Sequence, residues 1–113
     1  MTPRGQIVGE FEHLIALALL RLGEGAYGVS IRKEIARVTG RTVILGAVYA
    51  ALSRMERKGW VVSTISEPEP RPGGRAKKHV ALTAEGLEAL RQSREMMARM
   101  SEGLDLDEGV EIR

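Results

Sequence analysis

The sequence contains no cysteine, which excludes several kinds of chemistry at once. The 113-residue chain can form no disulfide, no thiolate metal site and no cysteine nucleophile. Its two histidines, His13 and His79, have no metal-ligating neighbour at a recognisable spacing, so we assign no metal and no cofactor. The sequence also lacks a paired-carboxylate, nucleophile–base or phosphate-loop motif, and we therefore expect no enzymatic activity.

Aromatic residues and long apolar runs are also scarce. Aromatics make up only 4% of the chain against 43% hydrophobic residues overall, so the core must consist mainly of leucine, isoleucine, valine and alanine. The longest apolar run, 14–20, is far shorter than the roughly 20 residues that a membrane-spanning helix needs. We expect a single soluble domain without a cleavable leader, located in the cytoplasm.

The net charge of +2 conceals a basic body and an acidic tail. Residues 1–100 hold 16 Lys/Arg against 10 Asp/Glu, and five acids follow in the last dozen residues. Lysine and arginine neutralise phosphates and release condensed counterions, so a basic body favours a polyanionic partner.

Apolar residues at helical spacing predict four helices. The first spans 10–22 and is apolar nearly all round, the second includes 31–38 and ends at Gly40, and the third opens at Gly46 and closes at Gly59. Thr83 is the predicted N-cap of the fourth, which runs to about residue 103.

Three short segments are typical of strands. The β-branched segment 41–45 predicts one small strand, and 60–65 and 77–82 predict an antiparallel pair. The segment between these two strands contains three prolines, two glycines and the cations Arg71 and Arg75. Because proline cannot continue a strand ladder, we predict that this segment is a loop.

This order predicts a mainly α protein with a small β-hairpin wing, namely a winged helix-turn-helix with a C-terminal dimerisation helix. We expect a DNA-binding domain over 1–82, the dimerisation helix over 83–103 and a disordered acidic tail over 104–113. Cations concentrate where this fold meets DNA, with seven Lys/Arg against two acids in 30–58 and no acid among the loop cations.

Six short stretches carry a resemblance to a known family, in the same order and at the expected separations. They are 20–23 (LRLG), 26–31 (AYGVSI), 45–49 (LGAVY), 52–60 (LSRMERKGW), 73–78 (GGRAKK) and 82–86 (LTAEG). Together they resemble the PadR family of transcriptional regulators over about residues 10–90, and the length is similar to its compact branch with one C-terminal helix. The resemblance implies a homodimer that binds an inverted-repeat operator, usually represses and often responds to a small molecule.

The resemblance places tyrosines of the family at Tyr49, in the recognition helix, and at Tyr27, at the start of helix 2. We expect Tyr49 to contact a phosphate or base edge, the alternative being that its ring packs under the hairpin; for Tyr27 a phosphate contact and helix packing remain equally open. For Arg54, the position late in the helix favours a contact with the DNA backbone or an internal salt bridge with Glu56 over a contact with a base. The predicted DNA-binding set is Tyr27, Arg32, Lys33, Gly46, Tyr49, Arg54, Gly73, Gly74, Arg75, Lys77 and Lys78.

Apolar residues of the first and last helices predict the dimer seam. Methionines among them could instead form an adaptable ligand surface, and a pocket between the helices would serve both roles. The predicted dimer residues are Phe11, Leu14, Leu17, Leu87, Leu90, Met97 and Met100. A competing hypothesis is a winged-helix protein-interaction module that has lost DNA binding, which retention of the wing and recognition-helix cations disfavours.

Overall fold

The computed structural model describes residues 8–65 and 78–108. The predicted wing tip, with Gly73, Gly74, Arg75 and Lys77, lies outside these ranges. The described elements are α1 (Glu10–Leu22), α2 (Gly28–Thr39), α3 (Leu45–Arg57), β1 (Val61–Ile65), β2 (Lys78–Leu82) and α4 (Ala84–Ser101).

The four predicted helices are confirmed, and α1 is the central one. It packs against α2, α3, β2 and α4, which explains why its sequence is apolar on nearly every face. The largest fully buried side chains come from several elements and converge beside it. They are Ile15, Ile31, Val48, Met55 and Trp60.

The hairpin is antiparallel, with Val61 opposite Leu82 and Ile65 opposite Lys78. A third segment extends it, because Val80 N donates to Ala26 O (2.8 Å) and Tyr27 forms an isolated bridge with His79. This segment lies just before α2, so the wing sheet is tied to the helix-turn-helix.

The predicted strand at 41–45 is wrong. Within the described residues the sheet consists of β1 and β2, and the one further bridge to it comes from Tyr27, before α2. Ile44 does have an extended backbone (φ −82°, ψ 133°), but no strand lies beside it, and α3 begins at the next residue. Local β propensity set the backbone conformation without supplying a pairing partner.

The start of α4 is locked onto the base of the hairpin. Thr83 caps the helix as predicted, since its Oγ1 accepts from Gly86 N (3.0 Å) and donates to Gly59 O (2.6 Å). A Cβ on Gly86 would lie 2.2 Å from the Trp60 carbonyl oxygen, so only glycine permits this approach. The helix ends at Ser101, two residues before the predicted end. Elements and packing are those of a winged helix-turn-helix with one further helix.

No helix in the described parts of the chain combines the length and the apolar character needed to cross a membrane.

Candidate nucleic-acid interface

The two faces of α3 differ sharply. Val48, Ala51, Leu52 and Met55 point into the core and anchor the helix. The opposite face is open to solvent and carries small side chains over its first two turns. Its exposed residues are Gly46, Ala47, Ala50, Ser53 and Arg57.

Tyr49 lies at the edge of that open face, against the first residue of α2. A Cβ on Gly28 would lie 2.6 Å from Tyr49 Cε1 and 2.7 Å from its hydroxyl oxygen, so the phenol rests directly on the glycine. The ring also borders a cleft between α3 and the hairpin together with Val61 and Val80. It is nevertheless 45% exposed, which leaves part of the phenol accessible from solvent.

Tyr27 precedes α2 and is half-buried. Its ring meets that of His79 edge to face, with centroids 6.3 Å apart, and His79 Nδ1 lies 3.0 Å from Gly25 O. Ser30 Oγ accepts from Tyr27 N (3.0 Å), which fixes the entry into the helix. Tyr27 therefore has a packing role between the wing and α2, whatever it contacts outside the chain.

The cations of α2 differ in how far they are engaged within the chain. Lys33 is exposed and Arg32 is half-exposed. Arg37 donates to both carboxylate oxygens of Glu34, at 3.0 and 2.6 Å. This hydrogen bond, with a smaller contribution from nearby positive charge, lowers the pKa of Glu34.

At the base of the wing, Lys78 stands opposite α3. Its Nζ lies 3.8 Å from Glu56 Oε1, and Ser63 Oγ donates to Glu56 Oε2 at 3.1 Å. Glu56 therefore joins α3 to both strands of the hairpin.

The prediction of a salt bridge between Arg54 and Glu56 is wrong, because the acid near Arg54 is Glu12 of α1. Arg54 Nε lies 4.0 Å and Lys58 Nζ 3.2 Å from Glu12 Oε2, and Glu12 is only 5% exposed. Gly9 N donates to Glu12 Oε1 (3.1 Å), and Lys58 Nζ also lies 4.6 Å from the centroid of the buried Trp60 ring. The far end of α3 is thus bonded to the start of α1.

The predicted dimer residues fall into two groups. Leu14 and Leu17 are half-buried and border a groove shared with α2, and Phe11 lies under the Arg41 guanidinium (5.8 Å). On α4, Leu90 is buried within its own chain and Leu87 is half-buried, whereas Met97 is 60% and Met100 75% exposed.

His13 lies on α1 where that helix passes α4. Partial burial lowers its pKa, and the positive charge of Arg94 lowers the pKa further. The imidazole is therefore held toward its neutral form.

Sequence reasoning missed three residues of this region. Glu12 had no local signal, because it comes close to Arg54 and Lys58 only after α1 packs on α3. Gly28 could have been singled out as a glycine in the first turn of a helix, where a close approach is a common cause. The sequence around Ile44 did not indicate that its side chain is exposed. Its neighbour Val43 is likewise an aliphatic residue and is buried.

Comparison with solved structures gives several similar chains. A PadR family transcriptional regulator from Eggerthella lenta is 27% identical, with 80% of this chain and 77% of that chain covered and a TM-score of 0.66. A PadR family transcription regulator from Clostridium difficile is also 27% identical, with coverages of 86% and 97% and a TM-score of 0.66. RosR of H. salinarum is 27% identical, with coverages of 92% and 84% and a TM-score of 0.65.

No curated protein matches the chain. The model of the transcriptional regulator PadR-like family matches residues 16–92, which run from the middle of α1 to the first half of α4. This match covers more than half of the chain and includes the helix-turn-helix and the hairpin. The chain therefore belongs to the PadR-like family of transcriptional regulators.

Proposed function

We propose that this regulator binds duplex DNA as a homodimer, represses transcription and responds to a small-molecule effector. In this proposal the open face of α3 enters the major groove, and the hairpin reaches an adjacent groove or the backbone. The observation that carries it is that α3 keeps this face free while the hairpin stands directly beside it, joined through Glu56 and Lys78 (3.8 Å).

The charges support the same orientation. Lys33 and Arg57 are exposed on the helix-turn-helix, and Lys78 begins the strand that returns from the wing. Arg75 and Lys77 precede it in sequence. We assign phosphate contacts to these cations and a phosphate or base-edge contact to Tyr49. We expect Arg54 to contribute less to DNA binding than these cations, because it lies beside Glu12.

A second copy of the chain is the proposed partner of α4. The exposed methionines at 96, 97 and 100 continue the helix face that packs on α1 through Ala89, Leu90 and Ser93. Such a stripe of exposed apolar surface commonly marks an interaction site. Two copies would present two recognition helices to an inverted repeat, with half-sites about one helical turn apart.

Repression and control by an effector would both act through the DNA-bound dimer. A dimer seated on a promoter would block access of the polymerase, as the family resemblance implies. Methionine side chains adapt to irregular shapes, so an apolar effector could bind between the helices of the two copies. Release of a promoter duplex by such a compound, measured in a gel shift, would support this part.

The direct test is the salt dependence of binding to the protein's own upstream DNA. We expect tight binding at low salt, and replacement of Arg75, Lys77 and Lys78 together by alanine should weaken it by orders of magnitude. The slope of log K against log salt should become shallower by about 0.9 for each phosphate that the variant no longer neutralises.

A matched control removes three cations elsewhere. Replacement of Arg21, Arg91 and Arg99 by alanine changes the net charge by the same amount as the wing variant. We expect this control to keep most of the affinity for DNA and the slope of log K against log salt. Failure of the wild type to retard any duplex at low salt would refute the proposal. If the variant with Arg75, Lys77 and Lys78 replaced still bound a protein partner as well as the wild type does, that result would favour the protein-interaction module instead.

A further inference from the structure

The start of α3 exposes an aliphatic side chain where a helix benefits from a polar one. The Ile44 backbone oxygen accepts from Ala47 N (2.9 Å) and Val48 N (3.2 Å), so Ile44 is the N-cap. Serine, threonine, aspartate or asparagine there would also accept from a free N–H through the side chain, which isoleucine cannot do. Ile44 is 78% exposed, so burial of its own side chain does not compensate.

The adjoining surface of α3 is also poor in hydrogen-bonding groups. Gly46, Ala47 and Ala50 are exposed, and Ile44 and Ala47 border one shallow depression with Thr42. The polar side chains on this stretch are Thr42 before it, Tyr49 at its edge and Ser53 after it. The nearby Arg41 is engaged within the chain, since its Nη1 lies 2.8 Å from Glu10 Oε1.

A surface of this composition does not recognise bases through paired hydrogen bonds, which require arginine, lysine, asparagine, glutamine or a carboxylate. The major groove offers one apolar mark of sequence, the C5-methyl group of thymine, and aliphatic side chains recognise it by contact. Residues at the N-terminal end of a recognition helix are the ones that reach base edges. The small residues at 46, 47 and 50 would let the helix backbone approach closely.

We propose that Ile44, supported by Ala47 and Ala50, reads thymine C5-methyl groups in the major groove of the operator. This inference rests on the proposed binding of duplex DNA and adds which feature of the bases is recognised. It explains why the cap position carries isoleucine: the chain forgoes a stabilising N-cap at a site where an apolar contact with the ligand is needed. Functional sites are where such departures from local preference are expected.

The first test replaces thymine by deoxyuridine, one position at a time, in an operator obtained by binding-site selection. Kd is measured by fluorescence anisotropy at fixed salt. At the thymines that Ile44 contacts, we expect loss of the methyl group to weaken binding by about fourfold, from the free energy of burying one such group. Other thymines should tolerate the replacement.

The same duplexes are then measured with two variants. In Ile44→Ala the penalties at the contacted thymines should disappear, because the contacting side chain is gone. In the control Val38→Ala, which shortens an aliphatic side chain that is 45% exposed on α2, the penalties should persist. Penalties that survive unchanged in Ile44→Ala would overturn the assignment.

A second test separates recognition from stability. Ile44→Ser supplies the missing N-cap, so Tm should rise by about 5 °C while affinity for the operator falls. A purely structural isoleucine would instead lower both Tm and affinity when replaced. That result would overturn the inference, as would a wild type that binds every deoxyuridine duplex as tightly as the operator. Absence of binding to any duplex would refute the proposed function itself.

Discussion

At the residue scale, the contact between Gly28 and Tyr49 decides where the Tyr49 phenol stands on α3. In the middle of a helix alanine is preferred to glycine by ~0.5–1 kcal/mol, and Gly28 stands at the first residue of α2, where this preference is weaker. Here an alanine Cβ would come within 2.6–2.7 Å of the Tyr49 ring and hydroxyl, closer than real Cβ contacts allow. The ring would have to move, since Gly28 itself is buried.

We therefore expect Gly28→Ala to weaken operator binding by about tenfold, the equivalent of ~1.4 kcal/mol. In a Tyr49→Ala background the same substitution should cost little further affinity, because the group that it displaces is absent. Anisotropy titrations of the four proteins give the coupling, and thermal unfolding of each gives stability. Equal losses of affinity in both backgrounds would show that Gly28 acts through the fold and not through Tyr49.

At the element scale, Glu12 connects α1 with the end of α3. Its carboxylate is buried, whereas the side chains of Lys58 and Arg54 are 31% and 47% exposed, so water partly screens the pair. Glu12→Ala would leave Lys58 without this counter-charge and Gly9 N without its acceptor. We expect a loss of about 2 kcal/mol of unfolding free energy, below the cost of breaking a fully buried pair.

Urea denaturation measures this loss, and the exposed pair of Glu10 and Arg41 is the matched control. Its oxygen–nitrogen distance is 2.8 Å, but the side chains are 81% and 49% exposed. Glu10→Ala should cost less than about 0.5 kcal/mol. Losses of similar size in the two variants would contradict a special role for Glu12.

His13, on α1 beside α4, should make the stability of the protein depend on pH. Because burial and the Arg94 charge lower its pKa in the folded protein, the unfolded chain takes up a proton first as pH falls below about 6.5. Stability should therefore decrease from about pH 7 to about pH 5. In His13→Gln this part of the slope should vanish in thermal unfolding curves; a wild-type and a variant profile that coincide would contradict it.

The elements differ in how far sequence could predict them. Helices were predictable because 3.6-residue periodicity reports which face is buried. One inner face is buried in α2, α3 and α4, whereas α1 packs against several elements and is apolar on nearly every face. Segment 41–45 was not, since Thr42, Val43 and Ile44 satisfy a strand pattern locally, whereas a pairing partner is supplied only by tertiary packing, which brings Tyr27 to the hairpin instead. The partner of Arg54 was missed for the same reason: Glu12 comes close only after α1 packs on α3.

At the scale of the whole molecule, α4 extends its inner face past the core that covers it. The first part of that face is buried, at Gly86, Ala89, Leu90 and Ser93, and the second part is not. Met97 and Met100 follow on the same side with exposures of 60% and 75%. A stable interface between two copies buries about 800 Å² on each. In the proposed dimer the exposed end of α4 supplies part of this area.

We expect the wild type to have the mass of a dimer in light scattering at about 10 µM, within the range where such interfaces hold. Met97→Gln with Met100→Gln should shift it to a monomer with unchanged helical circular dichroism, because neither side chain supports its own chain's core. Val62→Gln with Ile65→Gln, which alters two exposed aliphatic residues of β1, should remain a dimer. The monomer should also bind a full operator far more weakly than the dimer, since two linked half-sites multiply affinity. A monomeric wild type would refute pairing through α4.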